Sequence, residues 1–357
     1  MQNLQNHTPR TIGIIANPAS AKDIRRIIAN AGNLQIADRV NIVLRVLASA
    51  GSCGVQRALV MPDKSGIRAM LARNLERERK LGHPMPEVEF LEMPVTSTVD
   101  DTLRAAALMR DAGVAAIVVL GGDGTHRAVV RRCGDVPIAG LSTGTNNAFP
   151  EMREPTLTGI AVGLWASGRI PQEVALAPNK LLEIGIDGEP RDLALVDAVI
   201  AEEHTIGARA LWRTETLRAV YATFADPEAI GMSAIPGLLD PVGRADREGR
   251  AVEMAHGATP ARLHLHAPIA PGIVRPVPIA GWSSMRPDVP HAVSLRGGIV
   301  ALDGERELEY TADQKVTVTL RAAAFRTVDV SRCLRTAAAA GLLRADADGP
   351  LPGAAMH

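Results

Sequence analysis

The sequence predicts two architectures in one chain: a doubly wound α/β domain over residues 1–155, then an all-β sandwich over residues 156–330. Three observations carry this. Up to residue 150, short apolar runs alternate with stretches of helical length, which is the pattern of a parallel sheet covered by helices. One of these runs, residues 115–120 (AAIVVL), is apolar without alternation, as a central strand buried on both faces has to be. After residue 156 the apolar segments alternate with a period of two, and Gly and Pro punctuate them densely.

Taken in order, residues 11–16 (TIGIIA) read as a strand that Pro18 stops, and Ser20 is placed to cap a helix containing residues 23–30. A second helix over 34–50 leads to a strand over 57–61. The heavily charged stretch 65–80 reads as a helix with a solvated outer face. A strand over 88–93 precedes a helix over 98–112, whose early Asp100 and Asp101 and late Arg110 complement the helix dipole. The apolar strand over 115–120 runs into Gly121-Gly122-Asp123-Gly124-Thr125-His126, with Thr125 as the expected N-cap of a helix over 127–132, followed by a strand over 136–141. A helix over 156–166 leads out of the domain. Strands are expected over 180–186, 193–200, 261–266, 273–279, 298–302, 316–320 and 325–330, with a helix over 211–224. Residues 231–253 read as irregular, with a charged surface loop at 244–250. The Ala/Leu-rich helix 331–345 is expected to pack back on the first domain, and residues 346–357 to form a disordered tail.

Composition removes several function classes. Acids and bases balance at 39 each, so no electrostatic attraction to nucleic acid or an anionic membrane is expected. Aromatics make up 3%, too few for base-stacking platforms. Cys53, Cys133 and Cys333 are isolated and odd in number, which fits a reducing cytosol better than a disulfide framework or a zinc site. The polar first ten residues lack a signal-peptide core and no window approaches the ~18 apolar residues of a membrane span, so a cytoplasmic protein is expected.

In a doubly wound sheet, ligands bind beyond the C-terminal strand ends where the strand order reverses. Three loops qualify: residues 17–22, 121–126 and 142–147. Glycines at a strand end leave backbone N–H groups uncovered, and the helix that follows adds partial positive charge, so an anion can approach. Asp123 inside such a loop would repel a bare phosphate. It makes sense if it holds Mg2+ or accepts a proton from a hydroxyl that attacks phosphorus. Taken alone, the tetrad also reads as a tight turn with Asp123 as a turn residue. The third loop, Thr143-Gly144-Thr145-Asn146-Asn147, also reads as an ordinary polar loop, but two such loops on successive strands argue against that. Other motifs are missing: there is no G-x-x-x-x-G-K-[ST], no third glycine for G-x-G-x-x-G, and no H-R-D or D-F-G. His264 and His266 share a strand face, but with no third ligand in sequence reach a structural role fits them better than a metal site.

The ordered set Asn17-Pro18, Gly-Gly-Asp-Gly-Thr at 121–125, Thr-Gly-Thr-Asn-Asn at 143–147 and Asp303-Gly304-Glu305 resembles the superfamily of NAD kinases, diacylglycerol kinases and sphingosine kinases. Nearly all of residues 11–335 looks like its acetoin-catabolism X branch, an ATP-NAD-kinase-like group, most clearly over 14–25, 93–98 and 119–150. The resemblance implies an α/β domain and a β-sandwich with the active site between them. It also implies transfer of the γ-phosphoryl of ATP, or sometimes polyphosphate, to a hydroxyl with Mg2+. Gly121, Gly122, Gly124 and Thr125 would then be the phosphate cradle, and Asn17, Thr143, Gly144, Thr145 and Asn146 would lie on the nucleotide. Asp123 would be the base or the Mg2+ contact. Asn147, Asp197, Asp303 and Glu305 would face the acceptor, although Asp303-Gly304 also reads as a β-turn at a hairpin tip.

Three positions depart from the pattern. Val196 stands where NAD kinases carry an Asn that grips the dinucleotide. Asn147 stands where lipid kinases carry an Asp. His126 replaces an apolar residue, and there it either approaches a phosphate as a cation or caps the helix. The leading expectation is a kinase acting on the 2′-OH of NAD or on another hydroxyl-bearing small molecule, as a homo-oligomer. A non-catalytic nucleotide-binding accessory protein of acetoin catabolism and a lipid kinase are the alternatives, and no basic amphipathic surface helix supports the last.

Overall fold

The fold is described from a computed structural model, over residues 10–18, 34–143, 147–203 and 214–344. The expected helix over 23–30 and the tail after 345 lie outside the described residues.

The first half alternates strand and helix: β1 (Thr11–Ala16), α1 (Ile36–Ser52), β2 (Arg57–Val60), α2 (Ile67–Lys80), β3 (Glu87–Phe90), α3 (Val99–Asp111), β4 (Ile117–Gly121), α4 (Asp123–Val130), β5 (Ile138–Ser142) and α5 (Pro155–Ala166). Its strands pair in parallel in the order β3-β2-β1-β4-β5. The order reverses between β1 and β4, which puts the loops after these two strands side by side at the carboxyl edge. Every residue of β1 and β4 is buried because alternate side chains enter two different cores. Ile12, Ile14, Val118 and Leu120 pack with α1 and α5 on one face, and Ile15, Ile117 and Val119 with α3 and α4 on the other. Helices α1 and α5 touch closely through small residues. A Cβ added at Gly159 would lie 2.0 Å from Ser49 Oγ and 2.6 Å from the Val46 carbonyl oxygen.

The second half adds α6 (Gln172–Ala175), β6 (Leu176–Ile186), β7 (Glu189–Ala194), β8 (Asp197–Ala201), β9 (Leu217–Ala222), α7 (Ala234–Leu239), β10 (Gly249–Met254), β11 (Leu263–Ala270), β12 (Ile273–Met285), β13 (Pro290–Ala292), β14 (Gly298–Leu302), β15 (Glu305–Tyr310), β16 (Val316–Val328) and α8 (Val330–Ala339). Seven strands form an antiparallel sheet in the order β11-β12-β10-β9-β8-β14-β15. It stacks through Ala198, Ile200, Tyr221 and Val300 on Leu182, Ile184, Val318 and Leu320 of β6 and β16. Those two strands also extend the first sheet, since Thr327 of β16 pairs in parallel with Ile138 of β5. The layer facing the antiparallel sheet is therefore a continuation of the parallel one, and this fixes the relative position of the halves. Cys333 and Ala337 of α8 pack into the core shared with α1 and α5. Among the described residues, no helix is long and apolar enough to cross a membrane.

Several sequence expectations are corrected. Residues 193–200 form two strands in different sheets, because the amides of residues 195–197 turn away to a carboxylate. The run expected as a helix over 211–224 is strand β9 over Leu217–Ala222, since β8 and β10 supply edges on both sides; residues 211–213 lie outside the described residues. The supposedly irregular 231–253 contains α7 and most of β10. Residues 316–320 and 325–330 belong largely to one strand, interrupted by a bulge between Arg321 and Phe325 with Ala323 at φ 50°. Helix α4 begins at Asp123 with Gly122 as its N-cap, so Thr125 is not the cap.

Candidate active site between the two sheets

The loops after β1 and β4 are stitched together. The Asn17 N–H donates to the Leu120 carbonyl at 3.2 Å, and Asn17 Nδ2 to Thr125 Oγ1 at 3.1 Å. Buried Arg39 donates to the Asn17 carbonyl at 2.8 Å, holding the loop from beneath. Thr125 packs directly over Gly121, where an added Cβ would lie 2.6 Å from Thr125 Cβ. A Cβ at Gly122 would lie 2.8 Å from Asn147 Oδ1, and Asn147 Nδ2 in turn donates to Ser142 Oγ at 2.8 Å. The second and third loops thus meet where the sequence has no side chain to keep them apart.

Asp123, half-buried in the first turn of α4, accepts from the Ala148 N–H at 3.0 Å and the Phe149 N–H at 2.9 Å, one bond to each carboxylate oxygen. Its carboxylate therefore fixes the exit of the third loop as well as sitting in the cradle. Thr143 is buried, and Gly144, Thr145 and Asn146 lie outside the described residues.

From the other side comes the β14–β15 hairpin. Asp303 and Gly304 have φ of 51° and 81°, the pair of left-handed residues that a two-residue hairpin turn requires. The Asp303 side chain has no exposed surface, and its carboxylate accepts from the amides of Leu195 (3.0 Å), Val196 (2.8 Å) and Asp197 (3.3 Å). Arg127 of α4 approaches it at 4.0 Å and donates to the Leu302 carbonyl at 3.3 Å. Burial pushes the Asp303 carboxyl up to about 6, while Arg127 and the amides pull it back. The expectation that Asp303 faces an acceptor is thus corrected: it anchors the connection between β7 and β8. Its neighbour Glu305 is half-buried and directs its carboxylate at Gly124, 3.6 Å from where a Cβ would be. Asp197 and Val196 are buried, the latter using its N–H on Asp303.

His126 is not a phosphate cation. It is wholly buried, donates Nδ1–H to the Gly122 carbonyl at 2.8 Å and packs on Phe149; burial lowers its pKa to about 4. His264 and His266 project from edge strand β11, and no group of three potential metal ligands occurs among the described residues.

Sequence reasoning missed two cations. Lys180 buries its ammonium against the carbonyls of Gly243 (3.0 Å) and Glu248 (2.7 Å), and burial lowers its pKa to about 8. It thereby pulls in the segment expected to be a solvated loop. Arg244 of that segment lies over Phe224 (4.3 Å) and Phe149 (5.4 Å) and donates to the Ala148 carbonyl. These residues surround a void of about 10 Å3 with Asn179, Leu195 and Thr223. A Gly-Arg-Ala-Asp-Arg-Glu-Gly-Arg string carries no local sign that its first arginine turns inward.

The arrangement offers a glycine cradle at a helix N-terminus with two carboxylates, Asp123 and Glu305, flanking Gly124. Mg2+ is commonly held through one or two carboxylates together with substrate phosphates, so this donor set fits it once phosphates are present. Two family models match the chain: ATP-NAD kinase N-terminal domain over residues 12–170, and Acetoin catabolism protein X C-terminal domain over residues 180–323. The chain is 62% identical over 337 residues to the Acetoin catabolism protein X of Cupriavidus necator, covering 93% of this chain and 94% of that protein. These matches establish that the chain belongs to the acetoin catabolism protein X family, with an N-terminal domain of the ATP-NAD kinase type.

Proposed function

We propose that the protein is a phosphotransferase that moves the γ-phosphoryl group of ATP, or the terminal phosphoryl of polyphosphate, to a hydroxyl of a small molecule, with the 2′-OH of NAD as the leading acceptor. The observation that carries this reading is Asp123: a carboxylate in the first turn of α4, amid three glycines and held by two amides, with the Glu305 carboxylate directed at the adjoining Gly124. A carboxylate there is unfavourable for holding phosphate alone. It suits a site where phosphate arrives with a divalent cation and a hydroxyl has to lose a proton.

In the reaction, the acceptor oxygen forms a bond to the γ-phosphorus while the bond to the β,γ-bridging oxygen breaks and ADP leaves. Backbone N–H groups of the glycine loop at the start of α4 bind the phosphates, while the Thr125 N–H is given to the Gly122 carbonyl at 3.1 Å. Asp123 orients the acceptor hydroxyl and takes its proton. Mg2+, held by Glu305 together with the substrate phosphates, would supply charge neutralisation. Asn17 and Thr125 keep the first two loops in register for the nucleotide.

Incubation with NAD, ATP and Mg2+, followed by chromatographic measurement of NADP, tests the acceptor. NADP formation supports the full reading, and transfer to a different hydroxyl would replace NAD while keeping the chemistry. A second reading, a nucleotide-binding accessory protein without turnover, is favoured by Val196, whose buried apolar side chain cannot give the hydrogen bond an Asn would. ATP binding with no transfer to any hydroxyl would select it.

A further inference from the structure

We infer that Arg244 is a positioning residue for Asp123, acting through the Ala148–Phe149 peptide; this rests on the reading of Asp123 as the reacting carboxylate. Arg244 donates to the carbonyl oxygen of Ala148, and the N–H of that same peptide unit, on Phe149, donates to Asp123 Oδ1 at 2.9 Å. One planar peptide is therefore gripped at its oxygen by a guanidinium and at its nitrogen by a carboxylate. A cation at the carbonyl draws electron density toward oxygen and strengthens the N–H as a donor, so the two bonds reinforce each other.

The guanidinium has little freedom to do otherwise. Phe224 and Phe149 lie against it, and its charged neighbours are Glu151, Asp123 and Asp226. Burial pulls its pKa down, while these three carboxylates push it back up. Its backbone is set by Lys180, through the two carbonyls on either side of the segment, and by the Gly243 N–H on Asp246 Oδ2 at 2.7 Å. Lys180 belongs to β6 and Arg244 to the connection before β10, whereas Asp123 opens a helix of the parallel-sheet half. The orientation of the carboxylate thus depends on the β-rich half being seated against the third loop, and loss of that seating would release Asp123 with no change in the glycine cradle.

The test uses full-length protein labelled with 15N-phenylalanine, which gives four amide resonances for four phenylalanines, with Phe149 assigned through Phe149→Leu. Arg244→Gln is expected to move the Phe149 amide proton upfield, and Arg244→Lys to move it less. In an Asp123→Ala background, the Arg244→Gln shift should largely vanish, because the acceptor is gone. In turnover, Arg244→Gln should lower kcat about tenfold or more with KM for ATP within about twofold, as misplacement of a reacting group does, and Arg244→Lys should recover part of it. A Phe149 resonance indifferent to Arg244→Gln, or moved equally with and without Asp123, would overturn the inference. A rise in KM alone would overturn it too. If the wild type transfers no phosphoryl group, the kinase reading fails, and the amide measurements still decide whether Arg244 holds Asp123.

Discussion

Replacement of Asp303 by Asn keeps the side chain's shape and removes one buried charge, so it isolates the electrostatics of the hairpin tip. The Asp303 carboxyl titrates at about 6 in the fold, against about 3.9 in an unfolded chain. The folded protein therefore holds this proton more tightly than the unfolded one. Its contribution to stability is fully present below about pH 4 and is lost as pH rises through 6. Two pH units at about 1.4 kcal/mol each amount to roughly 3 kcal/mol. The Asn variant has no such proton, and the mismatch between its amide and the amides of Leu195, Val196 and Asp197 adds an offset that does not change with pH. Urea unfolding of both proteins from pH 4 to pH 7.5 reads the difference directly. The wild type should lose about 3 kcal/mol relative to Asp303→Asn across the window, with the change flattening above pH 7. A constant difference, or one moving the opposite way, would refute the burial-dominated environment assigned to Asp303.

Two further perturbations probe the same region and its scaffold. His126 shifts in the other direction, from about 6.5 when unfolded to about 4 when buried, so its stabilisation is present above pH 6.5 and lost as pH falls through 4. Relative to His126→Gln, the wild type should lose about 3 kcal/mol on acidification over that window; an unchanged difference would mean that His126 is solvated. Gly159→Ala should destabilise by about 1–3 kcal/mol, because its Cβ would meet the backbone oxygen of Val46 at 2.6 Å and α1 and α5 would have to part. A urea midpoint equal to the wild type's would contradict that contact.

What could be read from the sequence follows physical locality. Strand β4 and its glycine loop were legible because six apolar residues and a Gly-Gly-Asp-Gly string state burial and close approach within one short segment. The parallel pairing of the first half, though not its strand order, followed from alternation alone. Strand β9 was not legible, since an apolar run of its composition suits either state and its neighbours β8 and β10 decide the matter. The same holds for β16, whose two ends serve two layers across a bulge at Ala323. Within the site, Asp303 was visible as a residue type but its role was not. Its sequence suits a reacting acid and a turn equally, and only the three converging amides distinguish them. Arg244 and Lys180 were invisible because long-range burial of a charge leaves no local pattern, and His126 was ambiguous for the same reason.

The central proposal is that the crevice carries out phosphoryl transfer with Asp123 as the group that takes the acceptor's proton. γ-Labelled ATP with Mg2+, offered with NAD and a panel of other hydroxyl-bearing acceptors, measures this most directly in the wild type, Asp123→Asn and Glu305→Gln. The expected result is label transferred to one acceptor by the wild type, none above background with Asp123→Asn although that variant still unfolds cooperatively and binds ATP, and a reduced rate with Glu305→Gln. Undiminished transfer by Asp123→Asn, or no transfer by the wild type to any hydroxyl despite bound ATP, would contradict it.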